Sequence, residues 1–493
     1  MTDPAPPDAG DQRAVRLEKR RRLLEAGTEA YPVGVPVTTT IGAVRDAHPQ
    51  LEPDAHTGEQ VGLAGRIVHV RTTGKLCFAA LQAGDGSRIQ AMVSLDAVGA
   101  DSLAEWKAVV DLGDLIFVAG EVVASRRGEL SVAVTGWRIA AKALRPLPNL
   151  YTELSEETRV RSRYLDLIAR PDARRAVVAR AAATASLRAT FAERGYLELE
   201  TPMLQVQQGG ASARPFKTRS EGFDADLFLR IAPELFLKRA AVGGLERIFE
   251  INRNFRDENP DATHSPEFAM LEAYEAYSDY LGIADLTRDL VQRAAVAVGG
   301  STEVTWFDGT SFDLGGEWDR VSMYPSLSTA AGIEITPETP TAELVALAER
   351  LEIQVAHPIR GKYVEELWEY FVKPSLDRPT FVTDFPLDTS PLVREHRTVG
   401  GVVEKWDLYV HGFELATGYS ELIDPVVQRQ RFVEQATLVA GGDPEAMRID
   451  EDFLRALEFG MPPTGGMGMG IDRLMMVLTG LGIRETILFP LVR

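Results

Sequence analysis

Short strand-like runs between Glu59 and Ala141 constrain the fold of this chain more than any other feature. The runs are VGLAGRIVHVR, LCFAALQ, RIQAMVS, DLIFVAGEVV and a fifth that extends from ELSVAV to WRIAA. Gly and Asp residues between the runs are typical of turns. About five closely spaced strands predict a small antiparallel barrel.

An OB-fold is the natural candidate for such a barrel, and OB-folds commonly bind oligonucleotides on one face. Aromatic side chains stack on bases in such faces, so Phe78 with Arg71, Gln90 and Glu129 forms a candidate nucleic-acid surface. A lone phenylalanine in a strand is nevertheless more often a core residue. The pattern alone does not decide whether Phe78 lies in the barrel core or on the candidate nucleic-acid surface.

The rest of the chain indicates further domains, because 493 residues exceed the size of one ordinary domain. Residues 1–58 predict an N-terminal extension with a basic helix, which is either a solvated helix or a phosphate-contacting one. Residues 59–143 cover the barrel, and the proline-containing segment 144–157 is typical of a linker. Residues 158–493 mix helices with strands and predict a second, larger domain.

The overall charge and the cysteine content exclude several classes of protein. The formal net charge of −19 argues against nucleic-acid binding through bulk charge alone, although it is compatible with a local basic surface. A single cysteine, Cys77, excludes an internal disulfide framework and a cysteine zinc cluster. The sequence has no long uncharged apolar run and no leader pattern, so we expect a cytoplasmic protein without a membrane partner.

A polar strand face is predicted in the segment LERIFEINRNFRDENPDATHSPEFAMLEAYEAYSD. Strand periodicity places Phe249 and Ile251 on an apolar face. The opposite face of the two strands carries Glu250, Asn252, Asn254, Arg256, Glu258, Phe268, Glu272 and Tyr274. Because burying such groups without partners is costly, we expect this face to bind a ligand or to form a polar network. A solvent-exposed strand face is the alternative.

A second candidate element is KWDLYVHGFELATGYSELID, which predicts a hairpin with a tight turn at His411 and Gly412. That turn would bring Asp407 and Glu414 within reach of one hard cation such as Mg²⁺. The residues that alternate onto one face of the following strand are Thr417, Tyr419 and Glu421. Two acids near a hairpin are usually solvated, so this element is informative only together with others.

A third element, PPTGGMGMGIDRLMMVLTG, removes side chains from one strand face, because Gly466, Gly468 and Gly470 alternate along it. A flat ligand can approach the backbone of such a strand closely. Asp472 and Arg473 begin the helix that follows, where an arginine can contact phosphate oxygens. The segment is neither a GxxxxGK[ST] phosphate loop nor a clear GxGxxG dinucleotide turn.

Together these segments resemble the three motifs of class II aminoacyl-tRNA synthetases, in the order that the family shows. GYLELETP, which contains Pro202, is similar to motif 1, FRDEN to HSPEF is similar to motif 2, and GMGMGIDR is similar to motif 3. The barrel points to the aspartate, asparagine and lysine subclass. GGASARPF (Gly209–Phe216), RIAPELFLKR and GYSEL are similar to its lysine-specific branch. The resemblance covers essentially the whole chain.

This resemblance implies an α+β multidomain fold. It consists of an N-terminal OB-fold β-barrel and a catalytic domain that is built on an antiparallel β-sheet flanked by helices. The resemblance also implies a homodimer formed through motif 1 and an enzyme that uses ATP and Mg²⁺ to join L-lysine to tRNA(Lys). The catalytic groups would be the arginines of motifs 2 and 3, here Arg256 and Arg473.

The remaining site residues also follow from the resemblance. The implied ATP-binding residues are Arg256, Glu258, His264, Phe268, Asp407, Glu414 and Arg473, with Asp407 and Glu414 as the magnesium ligands. The implied lysine-binding residues are Gly210, Glu234, Arg256, Glu272, Tyr274, Thr417, Tyr419 and Glu421. Among these, Gly210 and Glu234 match the α-amino site, and Glu421, with Tyr274 and Glu272, matches the ε-ammonium site. The implied anticodon contacts are Arg71, Phe78, Gln90 and Glu129.

Four positions differ from the pattern common in bacterial members, namely Ser265 for Asn, Asp407 for Glu, Thr417 for Asn and Gly465 for Ala. We expect Thr417 and Gly465 to influence the affinity for lysine or for inhibitors of this pocket. The Thr-Gly-Tyr-Ser-Glu version also resembles the synthetase domain of actinobacterial two-part proteins that lysylate lipids. The alternatives are an aspartate- or asparagine-charging relative, a paralogue that no longer charges tRNA, and a relative that lysylates a lipid or a protein.

Overall fold

The structure, a computed structural model, describes residues 9–150, 152–207, 209–211, 213–355, 358–440 and 449–492. The described residues divide into two compact units, one that ends at Arg174 and one that begins at Arg175. Among these residues, no helix is both long enough and apolar enough to cross a lipid bilayer.

The N-terminal unit is built around a closed barrel. Its helices and strands, in chain order, are α1 (Ala9–Glu25), α2 (Ile41–Ala47), β1 (His56–Thr73), β2 (Leu76–Gln82), β3 (Arg88–Ser94), α3 (Leu95–Val98), α4 (Ala100–Val109), β4 (Leu115–Ala124), β5 (Leu130–Ala141), α5 (Glu156–Arg161) and α6 (Arg163–Ala169). The strand order is β1-β2-β3-β5-β4. The pair β3–β5 is parallel and the other neighbouring pairs are antiparallel. This closed five-stranded barrel confirms the predicted OB-fold.

Alternation along the strands separates the barrel core from its outer surface. On β2 the side chains of Cys77, Ala79 and Leu81 are fully buried, whereas Phe78 is only half-buried. Phe78 therefore does not occupy the core position that a lone phenylalanine usually takes. The period of two along the strand places its ring on the outer face instead.

Helix α1 is the basic helix predicted near the N-terminus, and part of its positive charge is paired within the unit. Arg16 is buried and donates hydrogen bonds to the carbonyl oxygens of Ala143 and Arg145, both at 3.1 Å. Lys19 forms an ion pair with Asp111 at 2.6 Å. These contacts attach the helix to the barrel, which gives Arg16 and Lys19 structural roles.

The helices and strands that follow build the second unit around a large sheet. In chain order they are α7 (Pro171–Glu193), β6 (Leu197–Glu198), β7 (Leu204–Gln205), β8 (Lys217–Ser220), β9 (Ala225–Leu229), α8 (Glu234–Val242), β10 (Arg247–Phe255), β11 (Glu267–Ala276), α9 (Tyr280–Gly299), β12 (Glu303–Thr305), β13 (Ser311–Asp313), β14 (Asp319–Ser322), α10 (Met323–Ala331), α11 (Thr341–Arg350), α12 (Arg360–Phe371), β15 (Thr380–Thr383), β16 (Lys405–Val410), β17 (Phe413–Ser420), α13 (Pro425–Ala440), α14 (Glu451–Leu457), β18 (Thr464–Gly470), α15 (Ile471–Thr479) and α16 (Ile483–Thr486). Short 3₁₀ helices lie at Lys373–Ser375 and Leu387–Thr389.

Within the described part of the chain, eight strands form the main sheet in the order β14-β15-β16-β17-β18-β11-β10-β6. The pairs β14–β15 and β10–β6 are parallel, and the other neighbouring pairs are antiparallel. Two smaller sheets contain β12–β13 and β7-β9-β8. The predicted fold class, an OB-fold barrel followed by a domain on a largely antiparallel sheet, is confirmed.

The main sheet has one apolar and one polar face, as strand periodicity predicts. Phe249, Leu271, Trp406 and Met469 belong to the buried apolar cluster that also includes side chains of α7, α9 and α15. Gly418 lies opposite Trp406 in the register of β16 and β17, and a Cβ atom there would come within 2.3 Å of the indole. The glycine therefore makes room for the indole on the apolar side, while polar side chains of the same strands occupy the other face.

Candidate active site

The polar face of the main sheet gathers charged groups from β10 and β11. Glu250 on β10 is the register partner of Glu272 on β11, and both side chains are buried. The fully buried Arg230 forms an ion pair with Glu250 at 2.7 Å. Among the described residues Glu272 forms no ion pair, and it accepts a hydrogen bond from Tyr274 Oη at 3.0 Å. Glu250 is therefore neutralised within the protein, whereas Glu272 remains available to a cationic ligand.

A cavity of about 350 Å³ lies where β11, β17 and β18 meet the start of α15. It brings together side chains from motifs 2 and 3 and from the β16–β17 hairpin. The expected ATP-binding residues that line it are Arg256, Glu258, His264, Phe268, Glu414 and Arg473. Asp407, the remaining expected residue, does not line this cavity. Aromatic, cationic and acidic groups thus surround a space that suits a nucleotide with bound cations.

Arg473 is held beside this first cavity by contacts from two directions. Its guanidinium donates to the Glu414 carbonyl oxygen at 3.1 Å and lies 3.4 Å from the Glu414 carboxylate. Another of its terminal nitrogens lies 3.1 Å from Nε2 of His264, whose Nδ1 lies 2.9 Å from Asp261. An imidazole that accepts through Nε2 must donate through Nδ1, so Asp261 favours the tautomer that receives Arg473. The guanidinium is therefore preorganised before any ligand binds.

Arg256 lies directly after β10, at the junction of the first cavity and a second one. It lines both cavities. Its Cζ atom lies 5.0 Å from the ring centroid of Phe268, and its Nε has no hydrogen-bond partner in the described part of the chain. Burial lowers the pKa of Arg256, while the charges of Glu258 and Glu272 oppose that effect. A half-buried and incompletely paired guanidinium at this junction suits an anionic group from either ligand.

The second cavity has a volume of about 230 Å³ and is rich in acidic and phenolic groups. The expected lysine-binding residues that line it, besides Arg256, are Gly210, Glu234, Glu272, Tyr274, Thr417 and Tyr419. Burial, followed by the charge of Glu234, raises the pKa of Glu272 well above its ordinary value. Burial, followed by the charges of Glu272 and Glu234, also raises the pKa of Tyr274. A bound cation would reverse the shift of Glu272, because an opposite charge favours the ionised carboxylate.

Glu421, an expected lysine-binding residue, lines a separate cavity and not the second one, to which it is linked through Lys238 and Glu234. Its carboxylate is 1% exposed and lies 2.5 Å from Nζ of Lys238, which also lies 2.6 Å from Glu234. Burial raises the pKa of Glu421 to about 7, with Lys238 opposing the shift and Glu234 adding to it. Lys238 contacts Oε2 of Glu421, whereas Oε1 has no hydrogen-bond partner among the described residues. Oε1 therefore keeps the capacity to accept from a further donor.

The β16–β17 hairpin carries the two carboxylates expected to bind Mg²⁺. Its turn consists of His411 and Gly412, whose φ angles of 50° and 71° are typical of a two-residue hairpin. Asp407 is buried, and its Oδ1 has no hydrogen-bond partner among the described residues. Burial raises the pKa of Asp407 to about 6, with Lys405 opposing the shift and Glu414 adding to it. Asp407 Oδ1 is therefore an unpaired carboxylate oxygen of the type that divalent cations prefer.

Ligand oxygens would have to complete such a magnesium site. In the part of the chain that the structure describes, no group of three or more His, Cys, Asp or Glu side chains is arranged to hold a metal ion. Mg²⁺ commonly binds through one or two carboxylates together with substrate phosphates. The fit of Asp407 and Glu414 to Mg²⁺ therefore depends on the phosphates of a nucleotide in the first cavity.

The glycines of β18 serve two purposes. Gly468 lines both cavities, as predicted for a strand face that a ligand approaches closely. Gly466 instead makes room for the protein itself, since a Cβ atom there would lie 1.9 Å from a carboxylate oxygen of Glu421. Gly465 faces α9 on the other side of the strand. Any effect of Gly465 on the amino-acid site is therefore indirect, whereas Thr417 lines that site.

Two lysines contribute to the site, and the sequence analysis missed both. Lys238 follows Glu234 by four residues on α8, a spacing that places the two side chains on one helix face. Lys405 lines the second cavity, and its Nζ lies 3.1 Å from Asp407. It precedes Asp407 by two residues on β16, which puts both side chains on the same side of the sheet. The spacing from Glu234 to Lys238 on the helix and from Lys405 to Asp407 on the strand could therefore have indicated both lysines from the sequence.

Asp472, which begins α15 with Arg473, has a structural role. Its side chain is buried and accepts a hydrogen bond from the backbone N–H of Ala269 at 2.7 Å. It also forms an ion pair with Arg180 at 2.5 Å. These contacts connect the start of α15 to β11 and α7. Asp472 thus fixes the position of the helix that carries Arg473.

The residues expected to read an anticodon are distributed over the outer surface of the barrel. Arg71 on β1 and Phe78 on β2 are register partners, and the Arg71 guanidinium lies 4.7 Å from the ring centroid of Phe78. Gln90 on β3 donates a hydrogen bond to Ser131 at 2.9 Å. Glu129 is exposed just before β5. An exposed arginine beside a half-buried ring is suited to stacking on a base.

Comparisons with known proteins match two family models to different parts of the chain. A model of the tRNA synthetases class II (D, K and N) matches residues 155–493, and a model of the OB-fold nucleic acid binding domain matches residues 61–140. A lysine–tRNA ligase of Kineococcus radiotolerans is 64% identical over 99% of this chain and 98% of that protein. A lysine–tRNA ligase of Mycolicibacterium gilvum is 58% identical over 100% of this chain and 99% of that protein.

A relative with a different name matches less closely. The lysylphosphatidylglycerol biosynthesis bifunctional protein LysX of Nocardia farcinica is 46% identical over 99% of this chain. This chain covers only 43% of that protein. The similarity to LysX therefore concerns a part of LysX that has the length of this chain.

Proposed function

We propose a lysine–tRNA ligase activity for this chain, which belongs to the class II tRNA synthetases. The observation that carries the proposal is the junction of two cavities at Arg256. Phe268 and Arg473 on one side suit the ring and the phosphates of a nucleotide. Glu234 and Glu272 on the other side suit an amino acid with a cationic side chain.

The proposed reaction has two steps. In the first step a carboxylate oxygen of lysine attacks the α-phosphorus of ATP, and the bond to the bridging oxygen breaks, which releases pyrophosphate and leaves lysyl-adenylate. In the second step a terminal ribose hydroxyl of tRNA attacks the carbonyl carbon, loses its proton and displaces AMP. No protein side chain forms a covalent bond in either step. The protein contributes positioning and charge stabilisation.

Arg256 is the group best placed to join the two reactants in the first step. Because it lines both cavities, it can hold the α-phosphate and the lysine carboxylate together. Arg473 would contact the γ-phosphate, and Phe268 would stack on the adenine. Mg²⁺ bound by Asp407 and Glu414 would supply positive charge to the phosphates. These charges oppose the negative charge that develops during the attack.

The acidic side of the site supports lysine over the other substrates of the subclass. Glu234, Glu272 and Glu421 would repel an aspartate side chain, and they would receive no compensating charge from asparagine. Lysine supplies one ammonium group at each end of its carbon chain. It is therefore the substrate that leaves the fewest buried carboxyl groups without a partner.

We propose that two copies of the chain associate through the motif 1 segment. β6 lies at one edge of the main sheet and has only two residues. The large apolar side chains that are about half-exposed or more in and after it are Leu197, Met203, Leu204 and Val206. Exposed apolar side chains at a sheet edge are typical of an interface. A homodimer would bury them.

The barrel is proposed to bind the anticodon of tRNA(Lys) through its outer surface. Phe78 would stack on one base, and Arg71 would contribute positive charge beside it. A cytoplasmic location is part of the proposal, because the proposed partner is tRNA, and the single cysteine, Cys77, is compatible with a reducing compartment.

Amino-acid-dependent exchange of pyrophosphate into ATP tests the first step, and aminoacylation of total tRNA with labelled lysine tests the second. We expect lysine, and neither aspartate nor asparagine, to support exchange. Exchange with aspartate would contradict the acidic-pocket assignment. Lysine-dependent exchange without aminoacylation would contradict the proposed transfer to tRNA, as expected for a paralogue with another acceptor.

A further inference from the structure

Lys238 connects two acids that come from distant parts of the chain. Its side chain on α8 is 0% exposed, and its Nζ lies 2.6 Å from Glu234 and 2.5 Å from Glu421. Glu234 begins the same helix, whereas Glu421 directly follows β17. One buried ammonium group therefore links the acid assigned to the substrate α-amino group with the acid assigned to the ε-ammonium group.

Lys238 can act on a bound amino acid only through these acids. It does not line the second cavity, whereas Glu234 does. A buried ammonium is costly unless carboxylates compensate it, and removal of one partner leaves the other charges unpaired. Lys238 contacts Glu234 and Glu421 only, and Glu272 forms no ion pair among the described residues, so a cationic ligand can still gain a carboxylate partner in the second cavity.

The surroundings of Glu421 differ from those of a saturated structural ion pair. Lys238 contacts Oε2, but Oε1 has no hydrogen-bond partner among the described residues, although the carboxylate is almost completely buried. The absence of a side chain at Gly466 provides the space that this carboxylate occupies. The protein therefore holds Glu421 by charge while the hydrogen-bonding capacity of Oε1 stays open.

We propose that Lys238 is a positioning residue for the amino-acid substrate, whose ammonium group holds Glu234 and Glu421 in place to receive the two ammonium groups of lysine. This inference rests on the proposed function. Lys238 neutralises part of the acidic cluster, so the protein folds with these carboxylates buried. The substrate supplies the remaining positive charge.

Lys238→Met tests this role, because it removes the charge and retains an unbranched side chain. We expect the KM for lysine in pyrophosphate exchange to rise about tenfold or more, since each contact to a charged group contributes strongly to binding. The KM for ATP should change by less than about twofold. The selectivity for lysine over norleucine, which lacks the ε-ammonium group, should fall about tenfold.

The barrel provides a matched control for the general cost of removing a buried lysine. Lys142 is also 0% exposed and lies 2.5 Å from Asp111 and 2.8 Å from Asp114. Lys142→Met should lower the melting temperature as Lys238→Met does, but it should leave the KM for lysine unchanged. An equal rise of this KM in both variants would overturn the positioning role, because it would show a general effect of lost stability.

A second variant and a double substitution complete the test. Lys238→Gln keeps N–H donors for both acids, so we expect a smaller rise of the KM for lysine than in Lys238→Met. If Lys238→Met does not yield folded protein, an unchanged KM in Lys238→Gln overturns the proposal. In a Glu421→Gln background, Lys238→Met should raise the KM by less than it does alone, because the two residues act together.

The outcomes separate this inference from the proposed function. Lysine-dependent exchange by the unsubstituted chain, with a KM for lysine that Lys238→Met leaves unchanged, overturns the role of Lys238 and retains the ligase. Absence of lysine-dependent exchange by the unsubstituted chain overturns both. Fully additive effects of Lys238→Met and Glu421→Gln would also contradict the role, because Lys238 would then act independently of Glu421.

Discussion

Each of the two units buries a lysine between two carboxylates, but only one of these clusters lies beside a cavity with ligand-binding features. In the barrel unit, Lys142 pairs with Asp111 and Asp114 and donates to the carbonyl oxygen of Val109 at 2.8 Å. In the other unit, Lys238 is buried to the same degree. The chemical groups of the two clusters are nearly the same, so their difference lies in how completely each cluster is paired.

The acids of the barrel cluster use their hydrogen-bonding capacity within the protein. Asp114 accepts from the backbone N–H groups of Asp111 at 2.7 Å and Ala143 at 2.8 Å, in addition to Lys142. Oε1 of Glu421 in the other cluster has no hydrogen-bond partner among the described residues. A fully satisfied polar network rigidifies a fold, whereas a buried acceptor without a partner can still receive a further donor. The comparison therefore separates a structural cluster from the cluster that is proposed to bind substrate.

The largest expected loss of activity follows from removing Arg256, the cation that lines both cavities of the second unit. Arg256→Ala should lower kcat/KM for pyrophosphate exchange about 10³-fold, because charge stabilisation of the attacked phosphate is lost. Arg253→Ala is the control, since the Arg253 side chain is about two-fifths exposed and lines neither cavity. A similar loss in both variants would contradict the role of Arg256.

Removal of Lys142 tests the structural half of the comparison. Lys142→Met leaves the buried Asp114 without its cation, while the half-buried Asp111 keeps Lys19, so the free energy of unfolding should fall by about 3 kcal/mol. Urea unfolding measures this loss, and exchange kinetics at a temperature where the variant is folded should match those of the unsubstituted chain. A changed KM for lysine would show that the barrel cluster is not purely structural.

Glu421→Gln tests the other half of the comparison, the proposed binding of substrate by the Lys238 cluster. The substitution keeps the shape of the side chain and removes the charge that is proposed to receive the ε-ammonium group, so the KM for lysine should rise about 100-fold. The KM for ATP serves as the internal control, since Glu421 does not line the first cavity. Unchanged lysine-dependent exchange would contradict the assignment of Glu421.

The pH dependence of the KM for lysine is a second test of the charge on Glu421. Burial raises the pKa of Glu421 to about 7. Below that pH the carboxyl group becomes neutral and loses its attraction for an ammonium group, whereas above it the charge is present. The KM for lysine should therefore rise about tenfold for each pH unit below the pKa. The charged groups that act on the pKa of Glu421 are Lys238 and Glu234. The rise of the KM for lysine at low pH should be absent in Glu421→Gln.

The smallest expected effect concerns the outer surface of the barrel. Phe78→Ala removes a ring that is proposed to stack on an anticodon base, so kcat/KM for aminoacylation of tRNA should fall about tenfold. Pyrophosphate exchange without tRNA should not change, because that step does not involve the barrel. If aminoacylation is also unaffected, the outer surface around Phe78 and Arg71 does not contact tRNA.

Much of the fold was predictable because strand periodicity is a local property. The alternation of Phe249 and Glu250 indicated an apolar and a polar face, and both faces are present. The tight turn at His411 and Gly412 was predicted from adjacent residues as well. Features of this kind depend on neighbours along the chain, so a single sequence is sufficient to indicate them.

Parts of the site could not be predicted, because they depend on contacts between distant segments. Gly466 was expected to expose the backbone to a ligand, but it accommodates the Glu421 carboxylate. The pairing of Lys238 with Glu421 requires α8 and the end of β17 to meet. Neither helix propensity nor strand alternation contains that information.

The amino-acid sequence alone was sufficient to assign the barrel, the largely antiparallel sheet, the resemblance to class II synthetases and the types of residue in each candidate site, because these follow from local patterns and motif order. Only the folded chain decided that Arg256 joins two cavities, that Phe78 faces outward and that one lysine is shared by Glu234 and Glu421. The reason is physical: burial and electrostatic pairing depend on distances in space, and these distances are set by the packing of elements that are far apart in the chain.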